Sequence, residues 1–83
     1  MDLKEKVLTA LMENLKPEYL RIEDESGITG FIVANVFRGV SSLDRQKMID
    51  DTLKNSSNPL STKELRQVLL IAGLTPEEYR SVG

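Results

Sequence analysis

The stretch Leu65–Glu78, LRQVLLIAGLTPEE, decides how the rest of the chain is read. Its centre, Val68–Ala72, is a short aliphatic run that looks like a buried strand, dense enough to be covered on both faces. Behind it stands a helix start: Thr75 as N-cap, Pro76 at the first helical position, and Glu78 reaching back from the third. The residue at the entrance to the strand is Gln67, in a chain with no histidine and no cysteine. Such an entrance residue often carries chemistry, so its identity matters for function as well as fold.

Working outward, NSSNPLS (55–61) is a polar loop and TKEL (62–65) a short helical turn. Before them lies a longer helix whose inward face is Leu43, Met48, Ile49, Thr52 and Leu53. Gly39 permits a sharp turn ahead of it. Ser41 or Ser42 caps it, with Asp44 three residues beyond Ser41 in a weak form of the capping box. Further upstream, YLRIEDE (19–25) alternates as a half-buried strand does, SGITG (26–30) supplies turn chemistry, and FIVANV (31–36) reads as a second, more buried strand. The two make a β-hairpin. The first helix carries Leu3, Val7, Ala10, Leu11 and Leu15 at helical spacing, widened by Leu8 and Met12; Asp2 caps its start and Lys16-Pro17 ends it.

The order is α-β-β-α-(α)-β-α. A third strand that arrives through a helical crossover runs parallel to the strand it joins. The expected fold is therefore α+β, a two-layer single domain over residues 1–83 with a three-stranded mixed sheet.

Composition restricts function sharply. Without cysteine there is no thiolate chemistry, and without histidine the commonest general base and metal ligand at neutral pH are missing. The expectation is a protein that is not an enzyme and carries no cofactor. The longest apolar run falls far short of the roughly 20 residues that span a bilayer, and the mixed-charge N-terminus does not resemble a secretory signal. A cytoplasmic protein that does not engage membranes is expected. Net charge is −2 but uneven, because the second half gathers Arg38, Arg45, Lys47, Lys54, Lys63 and Arg66. That polarity is mild for a protein whose main work is gripping phosphates.

Other motifs carry little. GITG (27–30) spells a KH-type GXXG, but it joins two strands and has no basic residue, so it reads as turn chemistry. Tyr19, Phe31, Phe37 and Tyr79 are scattered; the phenylalanines look like core, and no stacking platform for single strands is visible. The acidic runs Glu23-Asp24-Glu25, Asp50-Asp51 and Glu77-Glu78 alternate in direction and suit neither a paired acid/base site nor a cation cage. Ser41 and Ser42 have no base to activate them.

Several local words, in order, resemble the BolA family over nearly the whole chain. EDES (23–26) is similar to the end of the family's first strand. In IVANVFRGVSSLDRQKMI, Phe37, Gly39 and Arg45 match a phenylalanine, a glycine two positions on and an arginine eight positions on, with Gln46 next. LLIAGLTPEEY resembles the last strand and the helix start behind it. The resemblance implies a fold akin to class II KH domains. It also implies a role beside monothiol glutaredoxins in iron–sulfur handling or redox stress, or as a DNA-binding transcription regulator linked to stress and cell shape.

For the cluster role the family offers a histidine at the entrance to the last strand and a histidine or cysteine from the first hairpin loop. Here those positions hold Gln67 and ESGITG, so the usual bridging ligands are absent. The leading expectation is a non-catalytic adaptor, a monomer or weak dimer, that binds a protein partner such as a monothiol glutaredoxin without ligating the cluster. Its surface would be Arg45, Gln46, Lys47, Arg66 and Gln67. The alternative is a KH-like nucleic-acid binder using Arg38, Arg45, Lys47, Lys54, Lys63 and Arg66. Each residue also has a plainer reading: Gln67 as a strand-entrance amide bonded to backbone or water, and Arg45, Gln46 and Lys47 as a solvated helix face.

Overall fold

The computed structural model describes residues 2–82. Helix α1 (Leu3–Leu15) starts where the Asp2 carboxylate accepts from the Glu5 amide at 2.9 Å and stops at Lys16, which is left-handed with φ 47°. Its inner face, Val7, Ala10, Leu11 and Leu15, is buried, whereas Met12 is exposed. Strands β1 (Tyr19–Asp24) and β2 (Ile28–Val33) form the antiparallel hairpin, and β3 (Val68–Leu74) adds parallel to β2, giving the order β1-β2-β3. Between β2 and β3 come a 3-10 turn (Asn35–Phe37), helix α2 (Ser42–Asn55) and the single turn α3 (Thr62–Leu65); α4 (Pro76–Val82) closes the chain.

The α+β order with its mixed sheet is the expected one. Three local expectations are corrected. The second strand starts at Ile28 rather than Phe31, and Asn35 and Val36 leave it for the 3-10 turn. Register explains the shift: Thr29 and Gly30 pair with Glu23 and Ile22, so most of GITG is ladder and only Glu25–Gly27 turns. The chains approach so closely that a Cβ on Gly30 would lie 1.9 Å from the Arg21 carbonyl oxygen, which reserves that position for glycine.

The second correction concerns β3. It is an edge strand, and Leu69 and Leu70 remain 61% and 58% exposed, so the aliphatic run is not covered on both faces. A register irregularity opposite Ile28/Thr29 leaves Leu69 without a partner residue on β2, as a bulge does. The third is Leu43, which is exposed rather than inward; Ile49 and Leu53 carry the buried face of α2, with Met48 packed beside them.

One core joins α1 and α2 to the inner sheet face through Val7, Leu11, Ile22, Ile32, Phe37, Ile49, Leu53 and Ile71. Phe37 is fully buried, with its ring against Gly73: a Cβ there would meet the ring at 3.0 Å. Ser61 and Glu64 form a reciprocal capping box on α3, and Lys6 pairs with Glu64 at 2.9 Å, tying that turn to α1. No helix among the described residues is long and apolar enough to cross a membrane.

Candidate partner-binding surface

Helix α2 starts at Ser41, whose hydroxyl accepts from the Asp44 amide at 3.2 Å. This start aims Arg45 and Gln46, consecutive on the first turns, at the free side of β3. Gln46 donates through Nε2 to the Ile71 carbonyl at 2.9 Å, and Arg45 donates through Nη1 to the Gly73 carbonyl at 3.0 Å. Residues 71 and 73 alternate with those facing β2, so both acceptors belong to the open edge of the sheet. Arg45 also donates to the Val40 carbonyl at 2.8 Å and to Glu78 Oε1 at 2.6 Å, and its guanidinium lies 5.9 Å from the centre of the Phe37 ring.

Arg45 is therefore engaged within the fold, with only 12% of its side chain exposed. It links α2, the loop before it, β3 and α4. Glu78 in turn completes the Thr75 capping box, accepting from the Thr75 amide at 2.8 Å while its own amide donates to the Thr75 hydroxyl at 3.1 Å. The Arg45 hydrogen bond, joined by the Thr75 amide, holds the Glu78 carboxyl down to about 2. Arg38 pairs with Glu77 on the same helix.

The remaining predicted residues lie elsewhere along the strand. Lys47 is exposed on α2, Lys63 is exposed on α3, and Arg66 and Gln67 are exposed in the connection from α3 to β3. At about 3.3 Å per residue, Gln67 lies roughly 13 Å along the strand from Ile71 and roughly 20 Å from Gly73. The predicted residues thus form a strip following β3 rather than a single cluster.

At the Gln67 end the fold places side by side the two positions that bear cluster ligands in the resembling family. The Gln67 carbonyl accepts from the Ile28 amide at 2.7 Å, and a Cβ on Gly27 would lie 3.3 Å from that same oxygen. The side chains presented there are Glu25, Ser26 and Gln67, all oxygen or amide donors. They do not fit an iron–sulfur cluster, which needs thiolate or imidazole ligands. Among the described residues no group of three or more acids is placed to hold a metal ion.

A second feature was not legible as a cluster in the sequence. Tyr19, Phe31 and Tyr79 meet on the outer sheet face, with ring centroids 5.5–5.6 Å apart. Tyr19 and Phe31 share the outward phase of adjacent strands, but only the return of α4 brings in Tyr79. Half-buried Phe31 thus belongs to this outer group and not to the core, while Phe37 is core as expected.

No family model and no curated protein sequence matches the chain. Solved structures do. A bol-like protein from Babesia bovis is 27% identical with a TM-score of 0.74, covering 99% of this chain and 94% of that one. The BolA domain of SufE1 from Arabidopsis thaliana is 26% identical with a TM-score of 0.75, covering 94% and 96%. BolA1 from Arabidopsis thaliana, 21% identical with a TM-score of 0.70 and coverage of 94% and 96%, shares the fold. With Phe37, Gly39 and Arg45 standing at the family spacing in the same fold, the similarity to these solved structures supports a BolA-like family assignment.

Proposed function

We propose that this chain is a non-catalytic adaptor that binds a protein partner, a monothiol glutaredoxin, in iron–sulfur or redox-stress handling, and supplies no ligand to the cluster. The observation that carries this reading is the pairing of Gln67 with the Glu25–Gly27 turn: the positions meet, but neither bears a thiol or an imidazole. Contact would then rest on shape and charge at the entrance to β3, with Lys63, Arg66 and Gln67 nearest and Lys47 beyond. Arg45 and Gln46 are structural members farther along β3, and the exposed Arg38 pairs with Glu77 beyond its exit. A chain without histidine or cysteine also has few routes to acid–base or covalent catalysis. A cytoplasmic setting accords with this role. One neighbouring BolA domain is part of SufE1, a second instance of this fold joined to other protein.

The test is a titration with a monothiol glutaredoxin, with and without its assembled cluster. Binding in both states, weakened by Arg66→Glu and unaffected in its absorption spectrum by Gln67→Ala, is expected. A mixed cluster lost with Gln67→Ala would overturn the reading.

The nucleic-acid alternative is weakened by the same geometry, since Arg38 and Arg45 are committed to Glu77 and Glu78. Binding of duplex DNA with a steep salt slope would restore it.

A further inference from the structure

The free side of β3 presents backbone acceptors two residues apart, at Ile71 and Gly73, and both are taken by side chains rather than by a strand. Gln46 and Arg45 stand where the N–H groups of a fourth strand would be. An open edge is a template for pairing with another chain, and natural sheets blunt such edges. The opposite edge, β1, carries Arg21, Glu23 and Asp24, charges that blunt it by themselves. β3, by contrast, is Val-Leu-Leu-Ile-Ala-Gly-Leu without a charge, and Leu69 and Leu70 are exposed at its uncapped end. Between α2 and the strand runs an open groove lined by Ser42, Arg45, Gln46, Gly73 and Glu78.

We propose that Gln46 and Arg45 are guards on a latent homodimer edge, and that the occupant they hold off is the β3 of a second copy of this chain. Antiparallel β3–β3 pairing across a twofold axis through Ala72 sets Ile71 of each copy against Gly73 of the other, the very acceptors the guards cap. The same axis carries Arg66, at the entrance of one strand, toward Glu77 and Glu78 at the exit of the other. The edge is thus complementary to itself in backbone register, as an isologous contact requires, and Arg66 would join Arg38 and Arg45 as a further cation beside the exposed carboxylates of Glu77 and Glu78. The result would be a continuous six-stranded sheet with the α2 helices of the two copies flanking the seam and their Arg45 and Gln46 side chains displaced from it. This inference does not rest on the glutaredoxin reading.

Sedimentation velocity across a concentration series, with the whole chain and with Gln46→Ala and Gln46→Met, tests it. The methionine variant keeps side-chain length and removes the amide that caps Ile71, so it reports even where alanine loosens α2. Wild type is expected to remain monomeric at micromolar concentration, while both variants dimerise about tenfold or more tightly. In the dimer the amides of Ile71 and Gly73 gain concentration-dependent protection from hydrogen exchange. Adding Arg66→Glu to either variant should return it to monomer. The proposal is overturned if both folded variants stay monomeric, if wild type dimerises as tightly as they do, or if Arg66→Glu leaves the variant dimer intact.

Discussion

Replacing Arg45 with alanine tests whether this side chain is a structural member or a surface cation. In the structure the change leaves the carbonyls of Val40 and Gly73 without their donors and strips the aliphatic stem and guanidinium from beside Phe37. A part-buried acceptor deprived of its partner costs about 1 kcal/mol, and the lost cation–π contact and stem packing add about 1 kcal/mol more. The expected loss is therefore roughly 3 kcal/mol, before anything is assigned to the half-exposed pair with Glu78. A domain of this size holds only about 4–12 kcal/mol, and each kcal/mol moves its midpoint by about 4–8 °C, so the melt should fall by about 12–24 °C. Urea denaturation followed by circular dichroism gives the free energy directly. Arg45→Lys should fall between, because an ammonium cannot serve all three acceptors with a rigid fork. Lys47→Ala, one turn-step away and exposed, should stay within about 0.5 kcal/mol of wild type. A loss for Arg45→Ala no larger than that for Lys47→Ala would refute the structural role and return Arg45 to the partner surface.

Four other outcomes are expected. The Glu78 carboxyl is held at about 2 when folded against 4.5 for the ordinary group, so its stabilisation is complete above the higher value and is lost as pH falls through the lower. The stability gap between wild type and Glu78→Gln, measured by urea titration, should accordingly be constant near neutral pH and close toward pH 2. Gly30→Ala forces a Cβ into the Arg21 carbonyl and should cost at least about 3 kcal/mol, or abolish the cooperative melt. Leu11→Ala, in the fully buried centre of α1, should cost about 2–5 kcal/mol, while Leu70→Ser should cost almost nothing in the same assay. Finally, Gln67→His combined with Ser26→Cys supplies an imidazole and a thiol to adjacent positions; in a glutaredoxin mixture this double variant should change the cluster absorption spectrum where wild type does not.

Much of the site was legible as residue types, less as geometry. The absence of histidine and cysteine fixed what Gln67 and its neighbouring turn could not do, and no fold could change that. The spacing of Phe37, Gly39 and Arg45 pointed to the family, and the Thr75–Glu78 words located a helix start that the structure contains. What the words could not convey was Arg45's engagement. A sequence marks an arginine on a helix as basic, and only a neighbouring strand can turn it inward. The same limit produced the misplaced covering of β3, since an aliphatic run reads alike in a central strand and in an edge strand.

The sequence by itself determined the order of the elements, because caps, prolines and apolar periodicity act within a few residues of one another. It also determined the chemistry available, which is a matter of inventory. Tertiary structure alone decided that β3 lies at an edge of the sheet, which cations are committed to carbonyls and acids, and that Tyr79 returns to meet Tyr19 and Phe31. Those outcomes depend on contacts between residues far apart in the chain, where burial and pairing are set by the arrangement of whole elements and not by any local pattern.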